Sequence, residues 1–220
     1  QFQKLGYNKC IGFEPCEKIA LKAIKSGTKT IIQFFNETAA KEFSLQYKCP
    51  KLITCTNCFA HVSDLNGFVD GLSQIMDKKT YFVFENAFLL KTLENLDFGQ
   101  AYFEHFFMHS ITPLKSFFGK HNLELFRIEY NNIQMGSIRG YVRRKENQNL
   151  SLDSSVQIGI ENEKTFGLHD ISVYKTFIEN IDDIKYSLVS KLNNLKSQNK
   201  TISVYGWPAK MTLLNKYFNL

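Results

Sequence analysis

Few features in the chain point away from the cytoplasm, which is its expected compartment. Its first eight residues have no basic-then-apolar build of a signal peptide, and its apolar runs are too short to span a bilayer. The five cysteines (Cys10, Cys16, Cys49, Cys55 and Cys58) are odd in number and irregular in spacing, which argues against a disulfide framework and for a reducing compartment. Cys55 and Cys58 form one CxxC, but a structural zinc needs four ligands and neither a second CxxC nor a matching histidine pair exists, so no metal is expected. Alternation makes Cys55 a buried strand residue, where a thiol acts as a small hydrophobe. Internal repeats and low-complexity segments are absent.

What is there is ordinary for a folded domain. The 220 residues are 44% hydrophobic and 22% charged, enough for one large domain or two small ones. A net charge of +6 is spread along the chain, densest at Arg139, Arg143, Arg144 and Lys145. Most of the 20 phenylalanines fall inside apolar periodic stretches rather than between basic residues, so nucleic acid is not the expected partner. Neither is a membrane.

Periodicity alternates between strand and helix. Strands are predicted at 9–13, 28–35, 52–56 and 80–84, and helices at 17–26, 62–75 and 112–120, the last with Pro113 suited to a first turn. Strands at 123–129 and 137–143 are close enough to pair as an antiparallel hairpin. The alternation implies an α/β fold with a doubly wound sheet, parallel for most of its width. The polar run 145–153 is the best linker. Beyond it come a long amphipathic helix over 174–195, a β-branched strand at 201–205 and a helix opened by Gly206-Trp207-Pro208-Ala209-Lys210. Two units follow: 1–146, and 147–220 as the start of a second α/β domain.

Chemistry concentrates at strand ends and loops. Glu14 ends the first strand before Pro15, where α/β folds often place a carboxylate for a ribose diol. Thr56 and Asn57 close the third strand, and His61 stands at the entry to the next helix, where backbone amides are free for a ligand. Tyr102-Phe103-Glu104-His105 offers a phenol, a carboxylate and an imidazole in four residues, material for an acid–base site. Around the hairpin, Gly136, Ser137 and Arg139 could meet a phosphate or sugar, or form a plain turn with a surface arginine. Lys210, at a helix N-terminus, suits an anion.

These motifs resemble the sugar C-methyltransferase family, which methylates a carbon of a nucleotide-linked keto sugar with S-adenosylmethionine. Residues 57–65 resemble its NNVLAHVPDL segment, and Tyr102-Phe103-Glu104-His105 its Tyr-His-Glu-His. Gly12-Phe13-Glu14-Pro15 fits the Gly-x-Glu/Asp-Pro of α/β methyltransferases. Gln134 to Arg139 is similar to Gly-Gly-Ser-Leu-Arg with one glycine kept, and Tyr205 to Lys210 to Gly-Ala-Pro-Ala-Lys with a bulky Trp207. Phe103 replaces a histidine, and Met108-His109 an aromatic pair. The resemblance implies a Rossmann-like methyltransferase sheet lacking its first strand, with a terminal antiparallel hairpin. It implies His105 as a base that forms an enolate, with Tyr102, Glu104 and His61 orienting it or stabilising the enolate oxygen.

It further implies Glu14, Thr56 and Asn57 at the cofactor, and Gly136, Ser137, Arg139 and Lys210 at a nucleotide-linked sugar. Other implications are a monomer and a role in bacterial deoxysugar biosynthesis. The family's glycine-rich loop and zinc-binding Cys-rich module would lie ahead of Gln1, so the chain is expected to be part of a longer enzyme, with zinc only in that missing module. Alone, it is expected neither to bind S-adenosylmethionine nor to transfer methyl groups. A catalytically idle sugar-nucleotide binder on the same scaffold is the competing expectation, as is a methyltransferase with another substrate.

Overall fold

A computed structural model describes residues 2–220. Two parallel three-residue strands, β1 (Ile11–Phe13) and β2 (Lys29–Ile31), are joined by α1 (Glu17–Lys25). After α2 (Glu37–Gln46) comes a larger sheet of β3 (Leu52–Thr56), β4 (Tyr81–Ala87), β5 (Leu123–Asn131) and β6 (Ser137–Arg144). Its order is β3-β4-β6-β5, with β3 and β4 parallel and the other two pairings antiparallel. The sheet is therefore mixed, not parallel for most of its width, because the predicted hairpin supplies two of its four strands. The crossover between β3 and β4 is α3 (Leu65–Ile75), started by the Asp64 carboxylate accepting from the Gly67 amide at 2.9 Å. Between β4 and β5 lie α4 (Leu89–Glu94) and α5 (Ile111–Lys120).

β1 and β3 are not hydrogen-bonded to each other, yet Ile11, Phe13 and Ile53 pack on one small cluster around Ala40, Phe43 and Ile75. Each of these two strands thus keeps an edge without a ladder partner among the described residues.

The main core lies on one face of the larger sheet. Phe82 and Phe84 of β4 point into it and meet Phe59, Phe68 and Phe118. Opposite Phe84 stands Gly140, where a Cβ would fall 2.3 Å from the ring, so only glycine leaves room for that phenylalanine. On the other face Glu85 binds Arg139 at 2.7 Å, and Arg143, almost fully buried, binds Glu124 at 2.7 Å and lies over the Phe126 ring. Both are charge-assisted pairs with the fork geometry guanidinium favours.

Three helices follow the sheet: α6 (Ser154–Phe166), α7 (Ile171–Ser197) and α8 (Ala209–Phe218). The buried Glu163 of α6 takes hydrogen bonds from the Ile111 amide and from the Thr112 amide and hydroxyl (2.9 and 2.6 Å), so it caps α5, whose own N-cap Ser110 makes no side-chain bond. The predicted strand at 201–205 is not one. Those residues are exposed and belong to no sheet, since β-branched residues form a strand only where another edge can pair with them. Among the described residues no helix is long and apolar enough to cross a membrane.

Candidate active site

The carboxyl ends of β3 and β4 feed two loops that meet. β3 ends at Thr56; Asn57 turns left-handed (φ 51°) and its amide donates to the Glu85 carbonyl at 2.7 Å, after which 3-10 turn Phe59–His61 places His61. Phe59, fully buried, is the pivot of that turn: its ring packs on Phe84 and stacks on Phe118 and His109. After α4, the 3-10 turn Phe98–Ala101 leads into Tyr102-Phe103-Glu104-His105. The second loop docks on the first through the Ala60 carbonyl, which accepts from the Phe106 amide at 3.0 Å.

The docking brings the imidazoles together. His61 and His105 have ring centroids 4.8 Å apart, and the Tyr102 ring lies 4.4 Å from His105. His61 Nδ1 is 2.8 Å from the Glu104 carbonyl, and His105 Nδ1 is 2.8 Å from the Gln100 carbonyl. A carbonyl only accepts, so both Nδ1 atoms carry the proton and both Nε2 atoms are left as bases. Burial pushes the His105 pKa down; the His61 and Lys210 charges add to this, while the hydrogen bond to Gln100 and the Glu104 charge oppose it. The net effect favours neutral imidazole, the form that can accept a proton. Tyr102 is pushed up by burial and by Glu104, which keeps its phenol protonated as a donor.

Of the predicted site residues, His61, Tyr102, Glu104 and His105 form this one group. Glu104 takes part through its carbonyl, while adjacent Phe103 is 78% exposed and points away from the core. Glu14 lies at the end of β1 with its Oε1 accepting from the Cys16 amide at 2.9 Å, and Thr56 and Asn57 stand exposed at the end of β3. Phe13 of β1 and Ile53 of β3 pack on one cluster, so the two strands are neighbours. Arg139 is committed to Glu85 and approaches Glu129, on the sheet face opposite the core. Ser137 is buried and donates to the Ile133 carbonyl, and Gly136 takes a φ of 131° with Lys91 against it. Lys210 reaches Asp97 beside the His105 loop, not Arg139.

Two neighbours escaped sequence reasoning. His109 was noted only as a replaced aromatic, yet it is buried, stacked on Phe59, and pulled by burial down to about 4. Its Nε2 has no partner among the described residues. Gln100, also fully buried, holds His105 by its carbonyl and Asp97 by its amide at 2.8 Å. A lone Gln beside a mixed stretch gives no sequence pattern that would single it out. The CxxC is also more than a packing feature. A hydrogen bond from Cys55 draws the Cys58 thiol down to about 7, and the same bond, with burial, holds Cys55 up.

Residues 132–220 match a family described as the C-methyltransferase C-terminal domain. By sequence, the chain is similar to C-methyltransferases. It is 22% identical over 204 residues to the C-methyltransferase NovU of Streptomyces niveus, covering 93% of this chain and 48% of that protein. The chain thus spans about half the length of the curated relative it matches. Two solved structures align over part of it. A SAM-dependent methyltransferase from Anabaena variabilis has 12% identity and a TM-score of 0.48, over 66% of this chain and 71% of that one. The magnesium protoporphyrin IX methyltransferase of Synechocystis has 12% identity and a TM-score of 0.44, over 61% and 63%. The C-methyltransferase match begins in the β5–β6 connection, so it takes in the sheet's last strand as well as α6 to α8.

Proposed function

We propose that this chain carries the base and part of the cofactor site of an enzyme that methylates a carbon of a nucleotide-linked keto sugar. The observation that supports it most is the pair of imidazoles, each oriented by a backbone carbonyl so that Nε2 is free. His105 removes the proton alpha to the ketone, its neutral form being favoured by burial. Tyr102 lies against the ring and supplies a phenol O–H to the enolate oxygen, while His61 packs beside His105 and helps to orient it. S-adenosylmethionine, when bound, supplies an electrophilic sulfonium methyl. The donor set fits its ribose: Glu14 is a carboxylate at a strand end, with one oxygen occupied by the Cys16 amide and the other open to a diol, and Thr56 and Asn57 stand beside it on the next strand end. The sugar's nucleotide would meet Arg139, Ser137 and Gly136 only if Arg139 exchanged part of its pairing with Glu85.

Replacing His105 with Ala in the whole enzyme tests the reading. Methyl transfer should fall roughly a hundred- to ten-thousand-fold, together with solvent exchange of the alpha proton. Unchanged transfer by a folded variant would reassign the base.

A further inference from the structure

The loop that carries His105 is gripped from the far end of the chain. Lys210, in the first turn of α8, lies 3.4 Å from Asp97 Oδ2, and the same oxygen accepts from Gln100 Nε2 at 2.8 Å. Gln100 in turn accepts the His105 Nδ1 proton on its backbone carbonyl at 2.8 Å. A line of charge and hydrogen bonds therefore runs from Lys210 through Asp97 and Gln100 to the imidazole. Packing follows the same path. A Cβ at Gly99 would come within 3.0 Å of the Lys210 stem, and the Phe98 ring lies 4.8 Å from Tyr217, whose hydroxyl donates to Asp182 of α7 at 2.8 Å. Asp97 is nearly buried and Gln100 wholly so, hence neither can exchange its partner for water.

We propose that Lys210 and Asp97 are positioning residues for His105, with α8 acting as a strap that fixes the ring in place. This gives Lys210 a role other than holding the substrate, and it rests on the reading of His105 as the base. The groups facing the imidazole are His61, Tyr102, Glu104 and Lys210, with His109 behind. Of these, only Lys210 carries a fixed positive charge, so removing it must raise the pH at which His105 takes up a proton.

The test uses Lys210→Met, Lys210→Arg and Asp97→Asn in the whole enzyme, each checked for folding by circular dichroism. Lys210→Met and Asp97→Asn should lower kcat roughly ten- to a hundredfold, with KM for the sugar changing less. The acid limb of the kcat profile in Lys210→Met should move to higher pH, because the base is protonated earlier. Lys210→Arg should restore most of the rate. Independently of turnover, the His105 ring titration followed by NMR should move to higher pH in Lys210→Met. A raised KM with unchanged kcat and an unmoved titration would mean that Lys210 binds substrate and would overturn the proposal. If His105→Ala proved fully active while the titration still moved, the base assignment would fail and the strap would stand.

Discussion

Phe82 and Phe84 on β4 are fully buried, whereas Ile11, Gly12 and Phe13 on β1 are all only half-buried. The strands use similar residues, so composition does not separate them. Neighbours do. β4 has a strand on each side and aromatic rings across its inner face, while β1 has β2 alone and shares a small cluster with Ile53 of β3. A two-strand pair of this length is not stable unaided, and its order is borrowed from α2 and α3 beneath it. The candidate active site follows the same division. Its imidazoles stand on loops anchored in the aromatic core, and Glu14 stands on the weaker pair.

Substitutions at the two regions should separate them sharply. Phe59→Ala removes the ring that touches Phe84, Phe118 and His109, and should cost about 3–5 kcal/mol in urea unfolding. A loss below about 1 kcal/mol would show that the loop does not share the sheet's core. Next comes His109. Its pKa of about 4 lies below the ordinary 6.5, so the unfolded chain takes up a proton that the folded one refuses. Stability should therefore fall as the pH drops from 6.5 towards 4, by about 3 kcal/mol at the lower end. His109→Phe should flatten that slope when unfolding is followed against pH.

A smaller effect is expected on the pair. Phe13→Ala should cost about 1 kcal/mol, because the side chain is only half-buried, and the amides of β1 and β2 should exchange hydrogen well before those of β4. Equal protection in both regions would erase the distinction. The smallest change has the opposite sign. Gln134 and Met135 both adopt left-handed backbone (φ 52° and 61°) in the β5–β6 turn, and Met135 is more than half exposed. Met135→Gly should stabilise by roughly 0.5–1 kcal/mol, read from the melting temperature, by removing the Cβ penalty at little cost in packing.

The same contrast explains what could be read from sequence. The span 52–56 and the hairpin were legible because β-branched and aromatic alternation there reflects real burial. α2 was missed because it buries only Ala39, Ala40 and Phe43, a stripe too small to stand out. α6 was missed because its buried positions are Val156, Gly159 and Glu163, and a buried glutamate looks like a surface residue until its partners are known. Residues 201–205 erred the other way, as strand propensity is spent only where an edge is on offer. At the site, Tyr102 to His105 were visible as a group. Their link to His61 was legible only through the family resemblance, since the contacts themselves run through the Ala60 and Glu104 carbonyls, which leave no trace in residue identity.

The ties made by Glu163 and Lys210 also impose an order in time. The segment that presents His105 begins at Asp97 and ends at Ile111 and Thr112, and each end is fastened by a residue more than fifty positions later for one and a hundred for the other. On a ribosome, that segment emerges long before either fastener. It must wait as an unfinished loop over a sheet that already has β3 and β4, taking its working shape only after α8 has left the tunnel. The base is therefore completed only once a residue more than a hundred positions beyond Asp97 has arrived.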